Sequence, residues 1–378
     1  MATIRSTLTT TDYSRSIWRH FDIGTLVIVL LLMALGVLMI ASATLNSADP
    51  DLAGAARRQA LYALAGAAGL LIAAGIDYRI WQNVRYLLYG LALIFLIVTL
   101  IFGGGEIGGV SRWLDLRAFP VQPAELAKVL IILALAGFLA DHKDTISSLP
   151  TVLLSLGFTA VPAALIFLQP NLSTAVVFMF VWLAMIVTAG VRPRHLLAIF
   201  GLGLLTLPLI WLAMAPYQRD RIVTFLDPGR NPAAKYNLDQ ALTGIGNGGW
   251  LGQGYSGGSQ SQLHFLKVRH TDFIFSVTAE ELGFVGAVLL IGLLALLIYR
   301  LIRIADRSRD TYGELLVVGV AAMIFFQAAI NIGMNLNLGI VAGLPLPFVS
   351  YGGSSLITML LAIGLAQSVI MRHKRIEF

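Results

Sequence analysis

Asp272 stands where a polar, basic segment gives way to a long apolar run, within SQLHFLKVRHTDFIFSVTAEELGFVG (residues 261–286). A carboxylate at such a boundary is half sheltered from water yet reachable from the polar side, and shelter raises its basicity. That suits a general base, and it equally suits an ordinary helix N-cap, where aspartate is favoured. Arg269 and His270 lie beside it in sequence. A second acid–base set is Glu125 and Lys128, which follow Pro123 at a natural helix start. Three residues apart, with the acid first, they share one helix face and can pair. Charges inside an apolar helix are costly and point inward, so the pair either braces a bundle or lines a polar cavity.

Other chemistries drop out. The chain has no cysteine, which removes disulfides and thiolates. No Ser-His-Asp set, HExxH or P-loop is present. His264 and His270 lack partners at metal-ligand spacing. GIGNGGW (residues 244–250) imitates a phosphate-binding loop only weakly, because no strand precedes it.

The elements that must position these residues are membrane helices. Of 378 residues, 57% are hydrophobic and 12% charged, with a mean hydropathy of +0.82; a soluble domain carries about 25% charged residues. Apolar stretches able to cross a bilayer fall near residues 21–44, 59–76, 84–103, 125–141, 150–168, 172–190, 195–215, 273–299, 314–340 and 350–371. The expectation is a single polytopic domain over 1–378, an all-α integral membrane protein of about ten transmembrane helices. The first run is longer than the core of a signal peptide and reads as a retained helix. With the N-terminus inside, fifteen of the 26 Lys and Arg fall in cytoplasmic segments, against four (Arg57, Arg58, Arg112, Arg117) in the short outer loops. The positive-inside rule therefore puts both termini in the cytoplasm. Net charge +6 follows from this topology, and no basic run with interleaved aromatics suggests nucleic acid. Residues 1–20 form a cytoplasmic N-terminal segment, and Ser14 to Phe21 are either a short amphipathic helix or a tail.

The longest loop, residues 217–270 between helices seven and eight, faces outward. Its nine glycines predict flexibility, with one short helix over Asn237 to Ile245, and its aromatic and basic residues point to function. A second loop, residues 103–128, lies along the outer interface, anchored by Arg112, Trp113, Leu114 and Phe119. Gln169 and Asn171 cap a tight turn or a break near the outer surface, between helices five and six. If helix eight begins at about Asp272, then Ser276, Ala279, Gly283 and Gly286 fall within about 40° of its direction, a stripe of small residues that packs closely or leaves a groove. Glu281 then points the opposite way. Gln327, Asn331, Asn335 and Asn337 load helix nine with amides, so that helix faces the interior or a partner. GLPLPFVSYGGSS (residues 343–355) is non-helical, which at membrane depth requires burial in protein or a wet cavity. Residue chemistry leaves enzyme and transporter both open.

Seven stretches resemble one family: RWLDL (112–116), QPAELAK (122–128), YQRDRI (217–222), FLDP (225–228), SQSQLHFLKVRHTDFIFSVTAEELGFVG (259–286), NIGM (331–334) and GLPLPFVSYGGSS. Their order is that of the SEDS proteins (shape, elongation, division and sporulation), and the similarity runs from helix one to Gln367. SQSQL, Arg269 and TAEELG favour the elongation branch over the division branch. The resemblance implies an inverting peptidoglycan glycosyltransferase that joins lipid II units at the outer face of the bacterial plasma membrane. It implies that Asp272 is the catalytic residue and that Trp113, Arg112, Glu125 and Lys128 belong to the substrate cavity. Arg269, Arg112 or Lys128 would offset diphosphate charge. It also implies a place in the elongation machinery, beside a class B penicillin-binding protein whose membrane helix docks at helices eight and nine. No cofactor is called for, and a divalent cation stays open. A lipid-linked precursor flippase and a non-catalytic scaffold for the transpeptidase are the alternatives. Three segments depart from the family pattern: QPNLST (169–174) has Asn171 for an acid and Ser173 for a glycine, Leu266 to Val268 replaces LPE, and NLNLGIVAG follows NIGM.

Overall fold

A computed structural model describes residues 18–45, 52–103, 114–115, 120–263 and 265–373. Ten long helices, α1 to α10, carry the architecture: α1 Ile23–Thr44, α2 Ala55–Gly75, α3 Arg85–Phe102, α4 Pro123–Asp141, α5 Leu149–Leu168, α6 Leu172–Thr188, α7 Pro193–Ala213, α8 Ile274–Asp306, α9 Thr311–Asn335 and α10 Gly353–Met371. Nine are long and apolar enough to cross a membrane, and the tenth, α6, is a shorter apolar helix of 17 residues. The ten sequence-predicted spans are thus present in order. Between α3 and α4 two short strands, β1 (Leu114–Asp115) and β2 (Pro120–Val121), pair antiparallel.

The helices sort by how much partner surface they find. Burial reaches nearly every residue of α4, from Pro123 to Leu139, which packs against α3 and α9. Helix α10 lies along α2, and α8 packs between α1 and α9. By contrast, His195 is the one buried residue among those of α7 whose burial is described. Both ends of the described chain meet at one end of the bundle, where the His20 and His373 rings lie 5.3 Å apart. Ion pairs knit that end together, among them Arg79 with Asp310 (3.1 Å), Arg372 with Asp77 (3.7 Å) and Arg85 with Asp141.

The long connection from α7 to α8 corrects the expectation of a flexible glycine-rich loop. It holds helices at Pro216–Leu226, Pro232–Asn247 and Ser259–Gln262, the second longer at both ends than the sequence suggested. Its glycine-rich part is packed against α8. Helix α8 is broken at Gly283, where φ is 68° and ψ −166°, a conformation essentially closed to residues with a side chain. The break frees backbone groups, and the glycine-rich segment satisfies them. Gln253 and Gly254 N–H donate to the Glu280 and Glu281 carbonyls (both 3.0 Å), while Phe284 and Val285 N–H donate to the Gly249 and Trp250 carbonyls (2.8 and 3.2 Å). A Cβ at Gly252 would come within 2.0 Å of the Glu281 carbonyl oxygen, so only glycine permits this approach. Unpaired backbone is untenable at membrane depth, which is why the break and the loop come together.

Two buried glutamates complete the attachment. Glu280 accepts from the Gln260 and Ser261 N–H groups (2.7 and 3.1 Å) at the start of helix Ser259–Gln262, and Glu281 accepts from the Ser42 hydroxyl on α1. The small-residue stripe of α8 is therefore covered rather than an open groove. Ser276 bonds Asn335 on α9, and Ala279 abuts the glycine-rich segment.

Candidate active site

Asp272 lies two residues before α8 begins at Ile274, and no side chain caps that helix, so its carboxylate is not the N-cap. Its place is set by backbone contacts. The Asn331 and Asn335 amides of α9 donate to the Asp272 carbonyl (3.1 and 3.0 Å), and the Ser350 hydroxyl donates to the Thr271 carbonyl (2.6 Å). Asn331 also donates to the Leu344 carbonyl (2.8 Å), and Tyr351 N–H to the His270 carbonyl (2.9 Å). The amide load on α9 and the non-helical stretch before α10 thus clamp one short piece of backbone. Gln327, Asn331 and Asn335 are fully buried, as expected of an inward face. Asn337 departs from that expectation: it follows the end of α9 with a positive φ of 56° and is exposed.

The carboxylate faces a cavity of about 340 Å³ whose lining includes Asp220, Arg221, Thr224, Asn237, Asp272 and Val341. The residue as a whole is half-buried, while its carboxyl is enclosed by the cavity walls. Burial pushes its pKa from 3.8 up to about 6, and Arg221 opposes that shift. The two groups flank one point beside Gly343, where an added Cβ would lie 3.6 Å from Arg221 Nη1 and 3.8 Å from Asp272 Oδ2. Arg221 is held by donating to the Ala342 carbonyl (3.2 Å). It also lines an adjoining, mainly apolar cavity of about 190 Å³ with Asn171, Val176, Ile222, Phe326 and Ile330. A carboxylate of raised basicity, a guanidinium beside it and an apolar cavity beyond form a site for an anionic, partly apolar substrate with a proton to lose.

The other predicted site residues fall elsewhere. Glu125 and Lys128 are each 2% exposed, and Lys128 Nζ lies 2.8 Å from both oxygens of Glu125. They do not line the Asp272 cavity; Lys128 borders a minute void among Ile131, Thr159 and Phe178 inside the bundle. Arg269 is buried and its Nε donates to the Ala43 carbonyl (2.6 Å) near the end of α1, where burial lowers its pKa. It too is absent from the Asp272 cavity. Arg112 and Trp113 lie outside the described residues, as does His264. Asn171 caps α6 by accepting from Thr174 N–H (3.3 Å), as expected, whereas the Gln169 side chain donates across to the Leu96 carbonyl of α3 (2.8 Å). The residue that sequence reasoning passed over is Arg221. Its signal in the sequence is the YQRDRI stretch.

A family model described as a cell cycle protein, covering FtsW, RodA and SpoVE, matches residues 24–375. The chain belongs to this family. A probable peptidoglycan glycosyltransferase FtsW of Trichlorobacter lovleyi is 35% identical over 363 residues, covering 93% of each chain. The peptidoglycan glycosyltransferase MrdB of Escherichia coli is also 35% identical, over 361 residues and 95% of each chain. Among solved structures, a chain from a peptidoglycan synthase complex that coordinates polymerization and crosslinking superposes with a TM-score of 0.79 at 34% identity, covering 93% of this chain and 98% of that one. The family member described here is thus a multi-pass membrane protein. Equal identity to relatives named FtsW and MrdB means that overall similarity does not separate the branches.

Proposed function

We propose that this chain is a peptidoglycan glycosyltransferase that polymerises lipid II at the outer face of the bacterial plasma membrane, with Asp272 as general base. The observation that carries the assignment of Asp272 is its enclosed carboxylate of raised pKa on the cavity that it shares with Arg221. The 4-hydroxyl of one unit's terminal sugar attacks C1 of the other unit, forming the glycosidic bond while the C1–diphosphate bond breaks. The hydroxyl proton passes to Asp272, and the diphosphate departs with the bonding electrons. A sugar hydroxyl is a poor nucleophile near neutral pH, so a positioned base accelerates the step by roughly 10²–10⁴. A diphosphate leaves without a proton, so one carboxylate suffices where glycosidases need two. Arg221 offsets the charge on the departing diphosphate, and the apolar cavity beside it takes the first part of the lipid chain.

The charge bias of the loops supports cytoplasmic termini and an outward-facing site. The likeness to a chain of a synthase complex supports a class B penicillin-binding protein as partner. Exposed Phe284, Val288 and Leu289 on α8 and Phe325 on α9 offer an apolar face for its membrane helix. Purified protein given lipid II in detergent, with and without that partner, tests the activity, because detergent removes transport from the question. Glycan strands from the wild type and none from Asp272→Asn are expected. Equal polymerisation by a folded Asp272→Asn protein would sink the role of Asp272, and no strands from the wild type under either condition would sink the activity.

A further inference from the structure

At the end of the bundle remote from Asp272, where the two chain ends meet, lies a second polar cavity of about 370 Å³. Among the described residues its polar lining is Arg19, Arg300, Arg303 and Arg307, with His20, His373 and Tyr299, and one carboxylate, Asp22. That carboxylate is engaged, since it pairs with Arg300 and accepts from the Thr25 hydroxyl. Four guanidinium groups against one carboxylate leave a strongly cationic concavity even with both imidazoles neutral. Three other arginines at this end, Arg79, Arg85 and Arg372, each have an acidic partner. Among the described residues Arg19, Arg303 and Arg307 have none. Asp306, nearby on α8, does not line the cavity; its charge acts on Glu314 of α9.

The walls are braced without using these three cations. Asp22 N–H donates to Gln367 Oε1 and Gln367 Nε2 donates to the Asp22 carbonyl (both 2.9 Å), tying α10 to the start of α1, while Arg300 ties α8 to the same residue. Arg303 is held against Tyr299, whose hydroxyl it reaches at 3.3 Å. Guanidinium forks gathered in this way match phosphate oxygens, and cationic pockets between membrane helices on the cytoplasmic side suit lipid headgroups.

We propose that this cavity binds a phosphate-bearing anion, either the headgroup of an anionic phospholipid in the adjoining leaflet or a free phosphate. Trp18, Tyr299 and Ile302 are exposed at the same end and provide an apolar flank on which acyl chains can lie, so the lipid headgroup is the expected source.

The test uses the purified full chain, native mass spectrometry and three probes: phosphatidylglycerol, phosphatidylethanolamine and inorganic phosphate. The wild type is expected to retain one phosphatidylglycerol in preference to phosphatidylethanolamine. In the Arg19→Gln/Arg303→Gln/Arg307→Gln variant that retention weakens by about a hundredfold, from roughly a fivefold loss per cation. The variant's thermal midpoint reports folding, and Arg307→Gln alone, expected to weaken retention severalfold, keeps the question answerable if the triple variant does not fold. Phosphatidylglycerol that millimolar phosphate fails to displace identifies the lipid source; displacement by phosphate, or phosphate binding lost in the same variants, identifies the free anion. Equal binding of phosphatidylglycerol and phosphate by wild type and variants overturns the proposal. So does binding of an acidic peptide with no response to either phosphate probe, which would make the cavity a protein-docking site.

Discussion

Two acid–base sets stand in this molecule, and their geometries are opposite. Glu125 and Lys128 are locked together at 2.8 Å in the most buried helix, each offsetting the other's charge. Asp272 and Arg221 share a cavity wall, close enough for the cation to act on the carboxylate. A closed pair has its charges neutralised and is stable, but it has little left to offer a substrate. An enclosed carboxylate with raised basicity carries an unmet demand for a proton, which is what a general base needs. Under the proposed function, the closed pair braces the bundle and the chemistry is assigned to the pair that faces a cavity.

The largest expected effect tests the open pair. Asp272→Asn should lower lipid II polymerisation by roughly 10²–10⁴, with a thermal midpoint at neutral pH equal to or above that of the wild type. The sign follows from the raised pKa: a buried carboxylate that resists ionisation destabilises the folded state above its pKa, and the amide removes that cost. For the same reason the wild-type kcat/KM should be flat well above pH 6 and fall about tenfold per unit well below it, because the active form is deprotonated.

Next in size, Lys128→Met should cost about 3–5 kcal/mol in unfolding measurements, since it strands Glu125 as a buried charge. The Glu125→Gln/Lys128→Met protein should recover most of that loss. A double variant that is stable yet inactive would break the comparison by making the closed pair part of the site.

Arg221→Gln should slow polymerisation by about a hundredfold. Because Arg221 holds the Asp272 pKa down, its removal should also move the acid limb of the pH profile to higher pH, a shift that loss of packing alone would not produce. An unmoved limb would separate the two residues. The smallest effect belongs to Asn335→Ala, which removes a donor to the Asp272 carbonyl and an acceptor for Ser276. About 1–3 kcal/mol of stability should be lost, with a fall in kcat larger than any change in KM if the amide positions the base.

Much of the fold was legible because membrane helices announce themselves by length and composition, and all ten spans lie where hydropathy put them. Their ends were less so: α8 was expected to run from about Asp272 to 299 but spans Ile274–Asp306. Helical counting from Asp272 assumed one unbroken helix, whereas Gly283 interrupts it, and a helical wheel has no means of showing a break that a distant loop repairs. By composition, the nine glycines of the long loop predict freedom. In the folded chain, glycines such as Gly252 permit backbone to meet backbone, and the two uses of glycine have the same composition.

At the site, the sequence alone made Asp272 conspicuous, because an aspartate at a polar-to-apolar boundary is costly, and left it open between a base and an N-cap. It also determined the pairing of Glu125 with Lys128, since a three-residue spacing is a property of the local helix. Tertiary structure alone decided that this pair stays out of the Asp272 cavity, that Arg269 turns to the end of α1, and that Arg221 arrives beside Asp272 from 51 positions earlier in the chain. Local spacing governs what neighbours in a helix can do. Which distant side chains share a cavity depends on how the helices pack, and no short-range pattern encodes it.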